Sequence, residues 1–458
     1  ASTISGNLAV SANGTITDSG ALDIMGTTTL AAGSANAITL DEANDFGGAV
    51  SITTGRNVTL NDTDEIDLGA STISGDLSVT TAGAITQSGT LAVSGTTTLA
   101  AGSANDITLA DAGNTFAGLV GITSGGDVAL TNSGAIVLGV STISGNLAVT
   151  TAGAVTQFGA INVAGSTTLA AGAANAITLD DFGNDFGGAV GIVSGLDVEL
   201  TDLSQIMLGG STISGNLTVF ANGDITQAAA VTVGGTAYLN AFAGGNITLG
   251  DVGNDFVGAV SMANGNDLTL SDVNAIELGR LTIGGNLAMT AAGAITQSGA
   301  ITVAGTTSLA AGAANAITLA NASNDFTGAV RISSGLDVAI TDSDEIDFGI
   351  STISGNLAVT ANGAITQSGA ITVDGTTSLT AGAANDITLT AANQIDGAVQ
   401  VISGRNVTLN DADSTGVLTL AASTISGNLT VTSSEPITQS GALAVTGTTT
   451  LAAGSAND

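Results

Sequence analysis

The chain has 458 residues, of which 38 are acidic and four basic, all arginine, so its net charge is −34. Nucleic-acid binding depends on Lys and Arg neutralising phosphates and is excluded; docking on an anionic membrane surface is disfavoured on the same ground. Cys, His and Lys are absent, which removes disulfides, thiolate metal sites and the usual nucleophiles and general bases of an enzyme.

The apolar mass is Ala, Ile, Val and Leu, with only 2% aromatic residues against 44% hydrophobic ones. That richness in β-branched residues argues for a folded chain. No apolar run reaches the roughly 18 residues needed to cross a bilayer, so no membrane insertion is expected. Ala1 opens directly into a repeat and Gly454–Asp458 stops inside one. Solenoid ends need polar caps, and the expectation is a stretch of a longer array.

The heptapeptide Ser2-Thr-Ile-Ser-Gly-Asn-Leu8 returns at Ser71 (with Asp76 for Asn), Ser141, Ser211, Ser351 and Ser423, with a looser copy from Leu281. These starts define repeats 2–70, 71–140, 141–210, 211–280, 281–350, 351–422 and a partial copy 423–458. Self-similarity at a fixed period implies stacked supersecondary units forming one body, so the whole of 1–458 reads as a single continuous solenoid.

Each repeat breaks into three related segments. In the fifth copy they are 282–297, 301–326 and 330–348. All share strict alternation, as in Leu357-x-Val359, Val338-x-Ile340 and Ile346-x-Phe348. Period two is the signature of a half-buried strand, and helical spacing is not sustained anywhere. Short strands punctuated by Gly, Asn, Asp and Ser, in segments of about 20 residues, predict the coils of a parallel β-helix. The fold class is therefore all-β, a right-handed β-solenoid with three coils per repeat and about 20 coils in all. The single proline, Pro436, fits a body in which nearly every backbone N–H joins a ladder.

Two irregular features are candidate sites. The first is the Asn-Asp-Phe loop, with Phe46, Phe116, Phe186, Phe256 and Phe326, replaced in the sixth copy by Gln394-Ile395-Asp396. The structural reading is an Asx turn with a Phe plugging the loop onto the solenoid. The functional reading is a row of aromatic contacts for a glycan or a neighbouring cell, one every three coils or about 14 Å. The second is the acidic turn, where Asp62, Asp64 and Asp67, and again Asp342, Asp344 and Asp347, offer hard oxygens to calcium. The acidic pattern fades in the other copies, so a solvated acidic face is the stronger expectation, with calcium as the one candidate cofactor.

Asn recurs at turns, before Ile-Thr-Leu at Asn105, Asn175 and Asn315 and after Gly at Asn146 and Asn356; left-handed turns with amides bonded to the next coil are expected. The runs Thr27–Thr29, Thr96–Thr98 and Thr448–Thr450 occur once in three coils, too sparsely for a continuous threonine face.

The motifs Ser-Gly-Asn-Leu-x-Val-Thr, Gly-Ala-Ile-Thr-Gln-Ser-Gly, Gly-Thr-Thr-x-Leu-x-Ala-Gly and Ala-Asn-Asp-Ile-Thr-Leu run through the whole chain. They resemble the repeat region of filamentous-haemagglutinin-like bacterial exoproteins, giant β-helical adhesins of which many are exported by two-partner secretion. The resemblance implies a non-enzymatic, secreted fibre or adhesin stalk at a bacterial cell surface. Its partners would be itself, by end-to-end stacking or lateral bundling, and glycans or other cells. The family's amino-terminal secretion domain is not visible, and no binding residue carries over.

Overall fold

The computed structural model describes residues 1–414 and 416–454. Residues 455–458, where the seventh copy stops, lie outside them. The described chain is all-β, with one short 3-10 segment at Phe242–Gly244 and no α-helix. It winds about 22 coils at roughly three per repeat, which bears out the β-solenoid read from the alternation. Two compact units are distinguished, Ala1–Thr232 and Val233–Asp458.

The second unit shows the plan of a coil. Strands Ser351–Ile353, Leu357–Ala361 and Ile365–Gln367 make one coil. Ile371–Val373 and Thr377–Thr380 open the next. Pairing is parallel and in register: Ser351 lies beside Ile371, Leu357 beside Thr377 and Ile365 beside Ile387. The first unit is built alike, with Ser71 beside Leu91 and Leu77 beside Thr97. An advance of about 20 residues per coil brings like residues together. Ile353, Val373 and Ile395 form one buried column, and each such side chain contributes on the order of 2 kcal/mol by leaving water.

One inward column carries a threonine in five of the first six repeats, Thr28, Thr97, Thr167, Thr307 and Thr377. Thr97 lies between Leu77 and Val120, Thr167 between Leu147 and Val190, Thr307 between Leu287 and Val330, and Thr377 between Leu357 and Val399. These threonines, with Thr28, are fully buried and their hydroxyls have no hydrogen-bond partner within the protein. The fourth repeat has Ala237 at this position, equally buried, so the hydroxyl is not required by the fold.

Glycine at the first corner acts through close approach. A Cβ on Gly355 would lie 2.6 Å from Asp337 Oδ1, and one on Gly375 would lie 2.4 Å from the Gly355 carbonyl oxygen. Left-handed glycines recur in the second-coil loop, where Gly312 and Gly382 have φ of +80°.

Two outcomes follow. Thr97→Val or Thr377→Val keeps the shape and removes an unsatisfied buried hydroxyl, and should stabilise by about 1 kcal/mol each in chemical denaturation. Gly375→Ala should destabilise by about 2 kcal/mol or more through overpacking, while Gly134→Ala, whose Cβ meets nothing within 4 Å, should be nearly neutral.

Candidate functional site: the Asn-Asp-Phe loop and the acidic turn

The five loop phenylalanines point inward. Phe46, Phe116, Phe186, Phe256 and Phe326 are each 0–2% exposed. Phe326 stacks on Val303 of the preceding coil and Phe186 on Val163. The reading of these rings as contacts for a glycan or cell is thereby corrected: alternation along Asp325–Phe326 sends the ring to the core and leaves the aspartate outward. The loop is a plug.

The asparagine of the loop is its anchor. Asn324 is fully buried. Its Oδ1 accepts the Ile301 N–H at 3.0 Å and Gln297 Nε2 at 2.8 Å. Its Nδ2 donates to Gln297 Oε1 at 2.9 Å and to the Leu319 carbonyl at 3.1 Å. The same reciprocal amide pair joins Gln87 to Asn114 and Gln157 to Asn184. In the first repeat Asp18 takes the glutamine's place and accepts from Asn44 Nδ2 at 2.8 Å. Sequence reading passed over the glutamine, although it stands 27 residues before the asparagine in each of these three pairs.

The sixth repeat keeps the device instead of losing it. Asn393 pairs with Gln367 and accepts the Ile371 N–H at 2.9 Å. Ile395, 4% exposed, fills the place of the phenylalanine. The anchor is shifted by one position because the loop is one residue shorter.

The first aspartate of the acidic turn is the second half of the lock. Asp342 Oδ2 accepts the Phe326 N–H at 3.1 Å and its Oδ1 accepts the Asp344 N–H at 3.1 Å. Asp62 does the same for Phe46 and Asp64 at 3.2 and 3.1 Å. Asp202 and Asp272 hold Phe186 and Phe256, each at 2.8 Å. Asp62 and Asp342 therefore spend both oxygens on backbone N–H groups in the interior. Asp64 and Asp344 are exposed at the turn, and Asp67 and Asp347 sit in the following strand. Among the described residues no three carboxylates are grouped so as to hold a metal ion. The two proposed calcium sets are corrected accordingly: sequence spacing placed three acids together, while strand alternation and burial pull them apart.

Burial pushes the Asp342 carboxyl up to about 7 and Asp62 to about 6, against the backbone N–H bonds that favour the ionised form. Asp202, Asp272 and Asp411 are raised for the same reason. The second repeat solves the same problem without charge: Asn132 Oδ1 accepts the Phe116 N–H at 2.9 Å and its Nδ2 donates to the Ala135 carbonyl at 2.7 Å.

Asparagines at the other turns do bond to adjacent coils. Asn356 donates through its backbone N–H and Nδ2 to Asp337 Oδ1 at 2.9 and 2.8 Å. Its Oδ1 accepts from Thr376 N and Oγ1 at 2.9 and 2.7 Å. Asp127, Asn146 and Ser166 form the same chain. The outward face also differs from expectation. Thr388, Thr408, Thr430 and Thr450 stand in register on consecutive coils, as do Thr17, Thr39, Thr59, Ser78 and Thr98. These hydroxyl rows come mainly from the middle residues of Ile-Thr-Leu-type strands, so a search for threonine runs misses them. Neighbouring threonines across strands each add a few tenths of a kcal/mol.

A carboxyl whose folded value lies above its unfolded value makes the folded state bind more protons between the two. Its stabilisation is complete below about pH 4 and lost as the pH rises through 6 to 7. The thermal midpoint should therefore be higher at pH 4.5 than at pH 8. Asp62→Asn with Asp342→Asn, following Asn132, should raise the midpoint at pH 8 and flatten the profile. A midpoint that falls from pH 8 to 4.5 in the native chain would contradict the assignment.

No curated protein and no solved structure matches the chain. Seven successive segments, residues 1–53, 55–123, 125–193, 195–263, 265–333, 335–402 and 404–458, match the family described as repeats of unknown function (DUF5649). These segments keep the 70-residue period of the fold and cover nearly the whole sequence, and the chain belongs to that family of repeats.

Proposed function

We propose that the chain is a non-enzymatic structural element of an extracellular fibre or adhesin stalk on a bacterial cell. The observation that carries this reading is where the polar groups are spent. Buried side chains such as Asn324, Asp342 and Asn114 bond backbone of adjoining coils or their own loop, and the repeated pattern fixes one coil onto the next. A repeat whose recurrent polar groups are turned to its own ladder is suited to setting length and bearing load. The resemblance of its motifs to filamentous-haemagglutinin-like exoproteins supports the surface location, as does the absence of thiols that an oxidising exterior would modify.

The outer face is strongly acidic, so like charge holds neighbouring chains apart until it is screened or bridged. Lateral self-association should rise with calcium and reverse with a chelator, read by light scattering of purified protein. Antibody should label intact cells without permeabilisation. Labelling only after permeabilisation would refute the surface location, and association indifferent to chelator would refute the bridging.

A further inference from the structure

The fourth repeat breaks the pattern at one place in the second unit. The residues Tyr238, Ser261, Met262, Ala263, Arg280 and Thr282 line a half-enclosed pocket of about 340 Å³. One repeat earlier and one later, Tyr238 is replaced by Thr168 and Ser308, Met262 by Ile192 and Ile332, and Arg280 by Gly210 and Ile350. The backbone is altered with them. The strand Val260–Met262 has three residues where Val330–Ser334 has five. The 3-10 segment Phe242–Gly244 stands where the next repeat has the left-handed Gly312. A repeated pocket would be a by-product of coil geometry; this one is made by departures that coincide.

Register brings the lining together. Tyr238 lies beside Ser261, and Met262 beside Leu281, the residue after Arg280. Tyr238 is 37% exposed and is the only tyrosine of the chain. Arg280 is exposed and, among the described residues, makes no ion pair, whereas Arg405 is held by Asp386 at 2.7 Å. Among the described residues Arg56 and Arg331 likewise make no ion pair; what sets Arg280 apart is its place in the pocket lining.

We infer that this pocket binds a sugar acid, a saccharide carrying one carboxylate. The Arg280 fork matches a carboxylate. The hydroxyls of Tyr238, Ser261 and Thr282 both donate and accept, as a polyhydroxylated ring requires. Ala263 and the tyrosine ring offer apolar surface to the C–H face of the sugar. One arginine balances one charge, and the field of a chain at −34 repels ligands carrying more. This site does not depend on the fibre reading, and the fibre does not depend on it.

Because Trp is absent and Tyr238 is unique, tyrosine fluorescence of the full chain reports this pocket alone. Titration with sodium D-galacturonate should give a saturable change that galactose and sodium sulfate do not. Arg280→Gln should weaken binding at least tenfold with an unchanged melting profile, as the exposed Ile350 holds that position in the next repeat. Arg331→Gln, which alters an exposed arginine outside the pocket lining, should leave binding intact. No change with galacturonate, an equal change with sulfate, or equal loss in both arginine variants would each overturn the inference.

Discussion

Everything in this chain depends on in-register parallel pairing between successive coils. Once Leu357 is beside Thr377 and Ile365 beside Ile387, each position along a coil inherits the chemistry of the position about 20 residues away. A one-residue slip would turn every inward side chain outward. The sequence guards against this with columns of one type, such as Ile353, Val373 and Ile395, and with corners where a methyl group has no room, as at Gly355 and Gly375. The low aromatic content follows from the same constraint, because a narrow interior of stacked strands is filled by branched aliphatic chains.

The second coil of each repeat must carry extra residues without unsealing the core. The lock that closes this loop is polar and buried. Gln297 fastens Asn324, Asn324 fastens the Ile301 backbone, and Asp342 fastens Phe326. Nearly every donor and acceptor in it is used, which is what makes a buried polar network tolerable. The aspartate is the weak member, since its charge is held in a place that penalises charge. Asn132 shows that the geometry is satisfied by a neutral amide, so the cost at the other repeats is not forced by the fold.

What was legible in the sequence was what repeats at short range. The alternation around Val338 and Ile346 revealed the strands, and the 70-residue period revealed the stack. The Phe plug was legible as the structural half of two readings. The partner of Asn324 was not, because Gln297 lies 27 residues away and only the register shows that they meet. The buried role of Asp342 was hidden behind both a solvated acidic face and a calcium set, because three acids close in sequence say nothing about which face each one takes. The constraint at Gly355 was not legible, because it comes from the coil beneath. The threonine row through Thr408 was hidden because its members belong to differently worded segments.

Repetition also decides where a specific site is able to arise. An inward side chain that recurs from copy to copy is committed to the stack, as the loop phenylalanines are, and a ligand reading an outward row meets the same weak contact many times. Specific recognition of a small molecule needs several different groups at one point. In a solenoid that is achieved by changing neighbouring coils at the same azimuth, leaving the inward columns intact. Tyr238, Ser261 and Arg280 satisfy this condition: they vary outward positions on adjoining coils, while Leu239, Val260 and Leu278 on the same strands stay buried. The fold tolerates the departure, the shortened strand Val260–Met262 included, because its stability lies in the many columns and ladders that remain.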